Sequence, residues 1–119
     1  MMRLFGLVLA ACVLTVACAE PRATDPIERG TQVYRQKGCA SCHRIGDEGG
    51  TIGPPLTHIG TVGATRKPGM SADDYIRESI LDPGAYMVPG YPDTMSRGLY
   101  RGLSQEDFDD LVRYVLSLQ

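Results

Sequence analysis

Cys39-Ala40-Ser41-Cys42-His43 constrains this chain more than any other stretch of it. Two thiols about one helical turn apart can reach two vinyl groups on one side of a porphyrin. The imidazole that follows directly can then point at the iron. This is the spacing of covalent haem attachment. Three other chemistries use paired cysteines. A zinc site needs two further ligands, and the chain has neither a second Cys-x-x-Cys nor a His-x-x-x-His; His58 alone does not complete a tetrahedral set. A thioredoxin-like redox pair belongs in a βαβ setting, which the helical pattern below does not supply. A plain disulfide gives no reason for His43. The expectation is one covalent haem c, bound through Cys39 and Cys42, with His43 as the proximal iron ligand.

The chain has 119 residues, and its first stretch does not read as part of a fold. A positive start at Arg3 is followed by an almost wholly apolar run over residues 4–16 and by the small residues of Ala17-Cys18-Ala19. That order is an export signal, and the run is shorter than the roughly 20 residues a membrane span needs. Two cysteines could carry a lipid. Leu9-Ala10-Ala11-Cys12 leaves too short an apolar run before it, whereas Thr15-Val16-Ala17-Cys18 leaves one of proper length. Residues 1–17 are therefore expected to be an export signal of lipoprotein type, with Cys18 acylated. Residues 18–24 are expected to form a flexible tether and residues 25–119 a single domain. The alternative is cleavage before Glu20, giving a soluble periplasmic protein.

A domain of about 100 residues has a thin core, which a large apolar cofactor would enlarge. The net charge of −2 excludes a nucleic-acid-binding role of the basic kind. Glu106, Asp107, Asp109 and Asp110 crowd one segment, while Arg35, Lys37 and Arg44 flank the cysteine motif. Both groups read as solvated surface.

Helix signals recur three times. Asp25-Pro26-Ile27-Glu28 is a capping-box-like start. It opens a helix whose Ile27, Val33 and Tyr34 could share a face and which Gly38 ends. Gly30 lies in its middle at a cost of about 1 kcal/mol against Ala, so something is expected to approach closely there. Ser71-Ala72-Asp73-Asp74 caps a second helix with Tyr75, Ile76 and Ile80 at helical spacing, stopped by Asp82-Pro83-Gly84. Ser104 caps a third, with Phe108, Leu111, Val112, Val115 and Leu116 as its apolar stripe. Residues 45–69 and 85–102 read as loops, with one short helical turn after Pro55 and no strand pattern. The fold expected is all-α: three main helices and two long loops wrapped around one covalent haem. Residues of those loops must supply the sixth iron ligand. Met70, Met87, Met95 and His58 are the candidates, and spacing does not choose among them.

The chain resembles the class I cytochromes c from residue 27 to residue 118. Gly30 and Tyr34 resemble that family's first-helix glycine and aromatic, and Tyr114 its last-helix aromatic that packs across the glycine. Gly53-Pro54-Pro55-Leu56 resembles the family's Gly-Pro-x-Leu loop, which implies that the Pro54 carbonyl orients His43. Tyr75-Ile76-Arg77-Glu78-Ser79-Ile80-Leu81-Asp82-Pro83 and Tyr91-Pro92-Asp93-Thr94-Met95 are similar to cytochrome domains associated with subunit II of haem-copper oxidases. That likeness implies Met95 as the distal ligand. The family's proline after the methionine is replaced by Ser96, which lowers the expected stiffness of the loop. The copper-binding partner segment of the fused proteins is not found in this sequence. The resemblance implies a monomeric one-electron carrier of a respiratory chain, not an enzyme. It would work on the periplasmic side of a membrane with membrane-bound redox partners. The competing readings are an open-iron gas sensor or peroxidase, with His58 as its polar group, and a permanent subunit of an oxidase or reductase complex.

Overall fold

The computed structural model describes residues 21–119. In chain order these form α1 (Pro26–Gln36), a 3-10 turn (Cys39–Ser41), the short strands β1 (Arg44–Ile45) and β2 (Glu48–Gly49), α2 (Ile59–Val62), a second 3-10 turn (Gly63–Thr65), α3 (Ala72–Leu81) and α4 (Gln105–Leu116). The three main helices and two long loops are those expected. The four-residue α2 is the short helical turn expected after Pro55, and the addition is an antiparallel pair of two-residue strands, Arg44 opposite Gly49 and Ile45 opposite Glu48. Two residues cannot show an alternating pattern, so the pair leaves no strand signal in the sequence.

The helix ends follow side-chain chemistry. The Asp25 carboxylate accepts from the N–H groups of Ile27 (2.9 Å) and Glu28 (3.0 Å), and Pro26 occupies the first helical position. At the other end the Lys37 N–H donates to Val33 O, and Gly38 takes φ +68°, the left-handed exit a glycine permits. Ser71 and Ser104 cap α3 and α4 in the same way as each other. Each hydroxyl accepts from the N–H three residues on (3.0 Å) and donates to that residue's carboxylate.

Helix α1 crosses α4, and α3 packs against α4. Val33, Tyr34, Ile76, Phe108, Leu111, Val112 and Val115 form the buried centre. At the crossing, Gly30 lies against the Asp110 backbone and the Tyr114 Cβ, and the Tyr34 and Tyr114 rings meet edge to face at 5.3 Å. The close approach expected at Gly30 is therefore a helix crossing.

The acidic run on α4 is only in part a solvated face: Glu106 is exposed, and Asp107 and Asp109 are half-buried. Asp110 is fully buried and paired with Arg29 (2.6 Å) and Arg113 (2.7 Å). Asp109 pairs with Arg77 at 2.6 Å, and Arg77 also lies over the Phe108 ring. Hydrogen bonds from Arg77 and Gln105 hold the Asp109 carboxyl below the usual carboxylate range. A buried carboxylate keeps its charge only when its desolvation is offset by such partners.

The flexible segment expected over residues 18–24 is fastened from Pro21 onward. Arg22 donates to Asp107 (2.8 Å) and Glu106 (3.1 Å), the Ala23 N–H donates to Gln32 Oε1 (3.2 Å), the Gln32 amide donates to Pro21 O (3.0 Å), and Arg29 donates to Thr24 O (2.6 Å). The expected export signal, Cys18 and the first part of the expected tether lie outside the described residues.

Candidate cofactor site

The cysteine motif begins as α1 ends. The left-handed turn at Gly38 feeds the 3-10 turn, in which the Cys42 and His43 N–H groups both donate to Cys39 O, at 3.2 and 3.0 Å. Cys39 and Cys42 are free, half-buried thiols on the wall of one large cavity that His43 also lines. Burial pushes the Cys39 thiol up, the opposite of the shift that makes a redox thiol reactive. Among the described residues no three His, Cys, Asp or Glu side chains converge as a metal site would require.

The loop after the strands is bound to the motif through its backbone. The Gly50 N–H donates to Ala40 O (2.9 Å), the Gly53 N–H to Cys42 O (2.8 Å) and the Leu56 N–H to Arg44 O (2.8 Å). This places the Pro54 carbonyl 2.7 Å from His43 Nδ1. A carbonyl only accepts, so Nδ1 carries a proton, and in the neutral tautomer Nε2 is the nitrogen left to bind a metal. Such a bond fixes both the ring's orientation and its tautomer.

Sequence reasoning gave no role of its own to Gly53, which packs against the imidazole. A Cβ there would lie 2.6 Å from His43 Cε1 and 2.8 Å from Nδ1. The signal was present, since Gly53 stands directly before Pro54. Gly53→Ala is expected to displace the ring and cost about 1–3 kcal/mol, as overpacked sites do. Thermal unfolding of the holoprotein checks this, and an unchanged midpoint would mean that the ring is not held where it lies here.

The four candidates for the second axial position separate spatially. Met95 and Met87 line the cavity, whereas Met70 and His58 do not. Met95 is half-buried and packs on the core; Met87 is 38% exposed; His58 is exposed at the start of α2. The loop carrying Met95 has a brace in spite of Ser96. Arg97 pairs with Asp93 at 2.9 Å across the methionine, and its guanidinium lies against Gly84. Both partners are exposed, so solvent screens the pair and the brace is weak.

The remaining wall is mostly apolar, with Tyr34, Ile76, Ile80, Leu111 and Val115 contributed by the core itself. Tyr34 is buried, its hydroxyl has no partner among the described residues, and burial pushes its pKa up to about 12, so it stays neutral. A flat apolar group with an iron centre suits this lining. The imidazole of His43, held by Pro54 and packed on Gly53, would bind its metal through Nε2.

Comparison with known proteins agrees with the geometry. The sequence model of the family described as cytochrome c matches residues 27–119. Cytochrome c oxidase subunit 2 of Alkalihalophilus pseudofirmus is 28% identical over 95 residues, which is 76% of this chain and 25% of that protein. The chain thus spans about a quarter of the relative's length. A match over nearly all of the described residues, together with an all-α frame around Cys39-x-x-Cys42-His43, places the chain in the cytochrome c family, whose domain implies haem c.

Proposed function

We propose that this protein is a one-electron carrier of a respiratory chain, with a single haem c attached through Cys39 and Cys42 and ligated by His43 and Met95. The observation that carries the reading is the 2.7 Å bond from His43 Nδ1 to the Pro54 carbonyl, on a ring lining the same cavity as Met95. Reversible one-electron exchange is the chemistry that haem iron supplies when bound. The chain's own residues supply the rest. The cysteines hold the group when an axial bond exchanges, Pro54 and Gly53 aim the imidazole, and the apolar wall excludes water. Met opposite His raises the reduction potential, which suits delivery to a terminal acceptor. Held by both His43 and Met95, the iron would have no site open to substrate. His58, the polar group an open-iron protein would use, is exposed and outside the cavity lining.

Met95→Ala tests the ligand set. The oxidised protein should show the weak near-infrared band of sulfur bound to iron, and Met95→Ala should abolish it. Met70→Ala and Met87→Ala should keep it. Met87 is the demanding control, because it borders the same cavity. A band that survives in Met95→Ala contradicts the assignment.

The likeness to an oxidase subunit supports redox partners of the respiratory kind. The order of charge, apolar run and small residues supports export, and Thr15-Val16-Ala17-Cys18 supports a lipid anchor on Cys18. Monomers on the periplasmic face of a membrane, docking briefly with membrane-bound partners, complete the reading.

A further inference from the structure

We infer that residues 21–24 are a docking arm that holds the haem domain close against the membrane with its α1–α4 face toward the lipid, rather than a tether on which the domain swings. The inference rests on the lipid-anchor reading above. Its own support is the set of bonds along the arm. Arg22 joins both Asp107 and Glu106 in the first turn of α4. The Gln32 side chain is bonded in both directions, accepting from the Ala23 N–H and donating to Pro21 O. Arg29 holds Thr24 O while its guanidinium is also paired with buried Asp110. The arm is therefore bound to both helices of the central crossing.

Reach decides the consequence. A free segment from Cys18 to Asp25 could extend about 25 Å, at 3.3–3.6 Å per residue. With Pro21 fixed, only Ala19 and Glu20 separate it from Cys18, and the anchor lies within about 10 Å of the fold. The arm also selects which part of the domain stays near the lipid. Lys37 borders both the cavity and the polar groove framed by Arg22, Gln32 and Asp107, and its ammonium donates to Arg101 O at 3.1 Å. The cavity wall at Lys37 is thus next to the docked arm, and a haem filling the cavity would be held near partners whose redox centres lie at the membrane surface.

The test uses the acylated holoprotein purified from membranes, with three readings. Hydrogen exchange should show the Ala23 N–H slowed about tenfold or more against an unstructured chain, and Gln32→Ala with Arg22→Ala should remove that protection. Exchange at the unstructured rate overturns the arm, whatever the lipid. Intact mass reports the anchor separately. A lipid-free chain beginning at Glu20 overturns the anchor and with it the membrane placement, while the exchange result still judges the arm. Energy transfer from fluorescent lipid headgroups to the haem, in vesicles carrying the protein, reads the distance. A Gly-Ser spacer of about six residues between Glu20 and Pro21, adding about 13 Å of reach, should reduce the transfer. Unchanged transfer in an acylated protein with a protected Ala23 N–H overturns the close placement.

Discussion

Cys39→Ala combined with Cys42→Ala is expected to give a chain that neither retains haem nor folds. The reason is that the cavity and the core share residues: Tyr34, Ile76, Ile80, Leu111 and Val115 belong to both. Left unfilled, a cavity of about 230 Å³ exposes those apolar side chains to water and takes away the surface they would pack against. A domain of this size has only about 5–15 kcal/mol of stability altogether. The small α2 and the paired two-residue strands add little that could compensate. Haem staining after denaturing electrophoresis should be lost, and far-ultraviolet circular dichroism should show most of the helix gone. A double variant that stays helical without haem would show that the polypeptide folds around an empty cavity. One that still carries haem through denaturation would show attachment elsewhere.

The second large effect is expected at the helix crossing. A Cβ on Gly30 would overlap the Asp110 carbonyl oxygen and lie 2.7 Å from the Asp110 carbonyl carbon and the Tyr114 Cβ. The obstruction is mainly backbone, so no rotamer change relieves it. Separating the helices would also stretch the pairing of Arg29 with buried Asp110. Gly30→Val should therefore cost about 3 kcal/mol, at the upper end for overpacking. For a domain this small that corresponds to a fall in Tm of roughly 12–24 °C. Thermal melts of the holoprotein measure it. Gly38→Ala is the comparison, because at Gly38 a Cβ meets no protein atom and the cost is the strain of a positive φ alone. A Gly30→Val protein that melts with the wild type would show that α1 and α4 do not meet there.

The helices were legible because their signals are local. Asp25, Ser71 and Ser104 cap within three residues, and the stripe from Phe108 to Leu116 is read directly from spacing. The helical interruption at Gly30 announced a close contact, and the family likeness named Tyr114 as part of it. What escaped the sequence depends on partners far along the chain. Asp110 sits in an acidic run and looks solvated, yet Arg29, 81 residues away, pairs with it in the interior. Arg22 looks like part of a polar linker until Glu106 and Asp107 are folded against it. At the site, the cysteines and His43 are legible by spacing alone. Gly53 is not, because its role is to leave room beside a ring that the motif itself does not position. The separation of Met95 and Met87 from Met70 and His58 likewise needs the cavity wall to be known.

The central claim is a covalent haem c with His43 and Met95 on its iron, and the absorption spectrum of the purified protein, taken from the visible into the near infrared, tests it most directly. The reduced form should show the sharp bands of a low-spin c-type haem and stay unchanged under carbon monoxide, and the oxidised form should show the sulfur-to-iron band in the near infrared. A high-spin spectrum that shifts promptly with carbon monoxide, or a purified protein whose haem is freely removed by acidified acetone, would contradict the account.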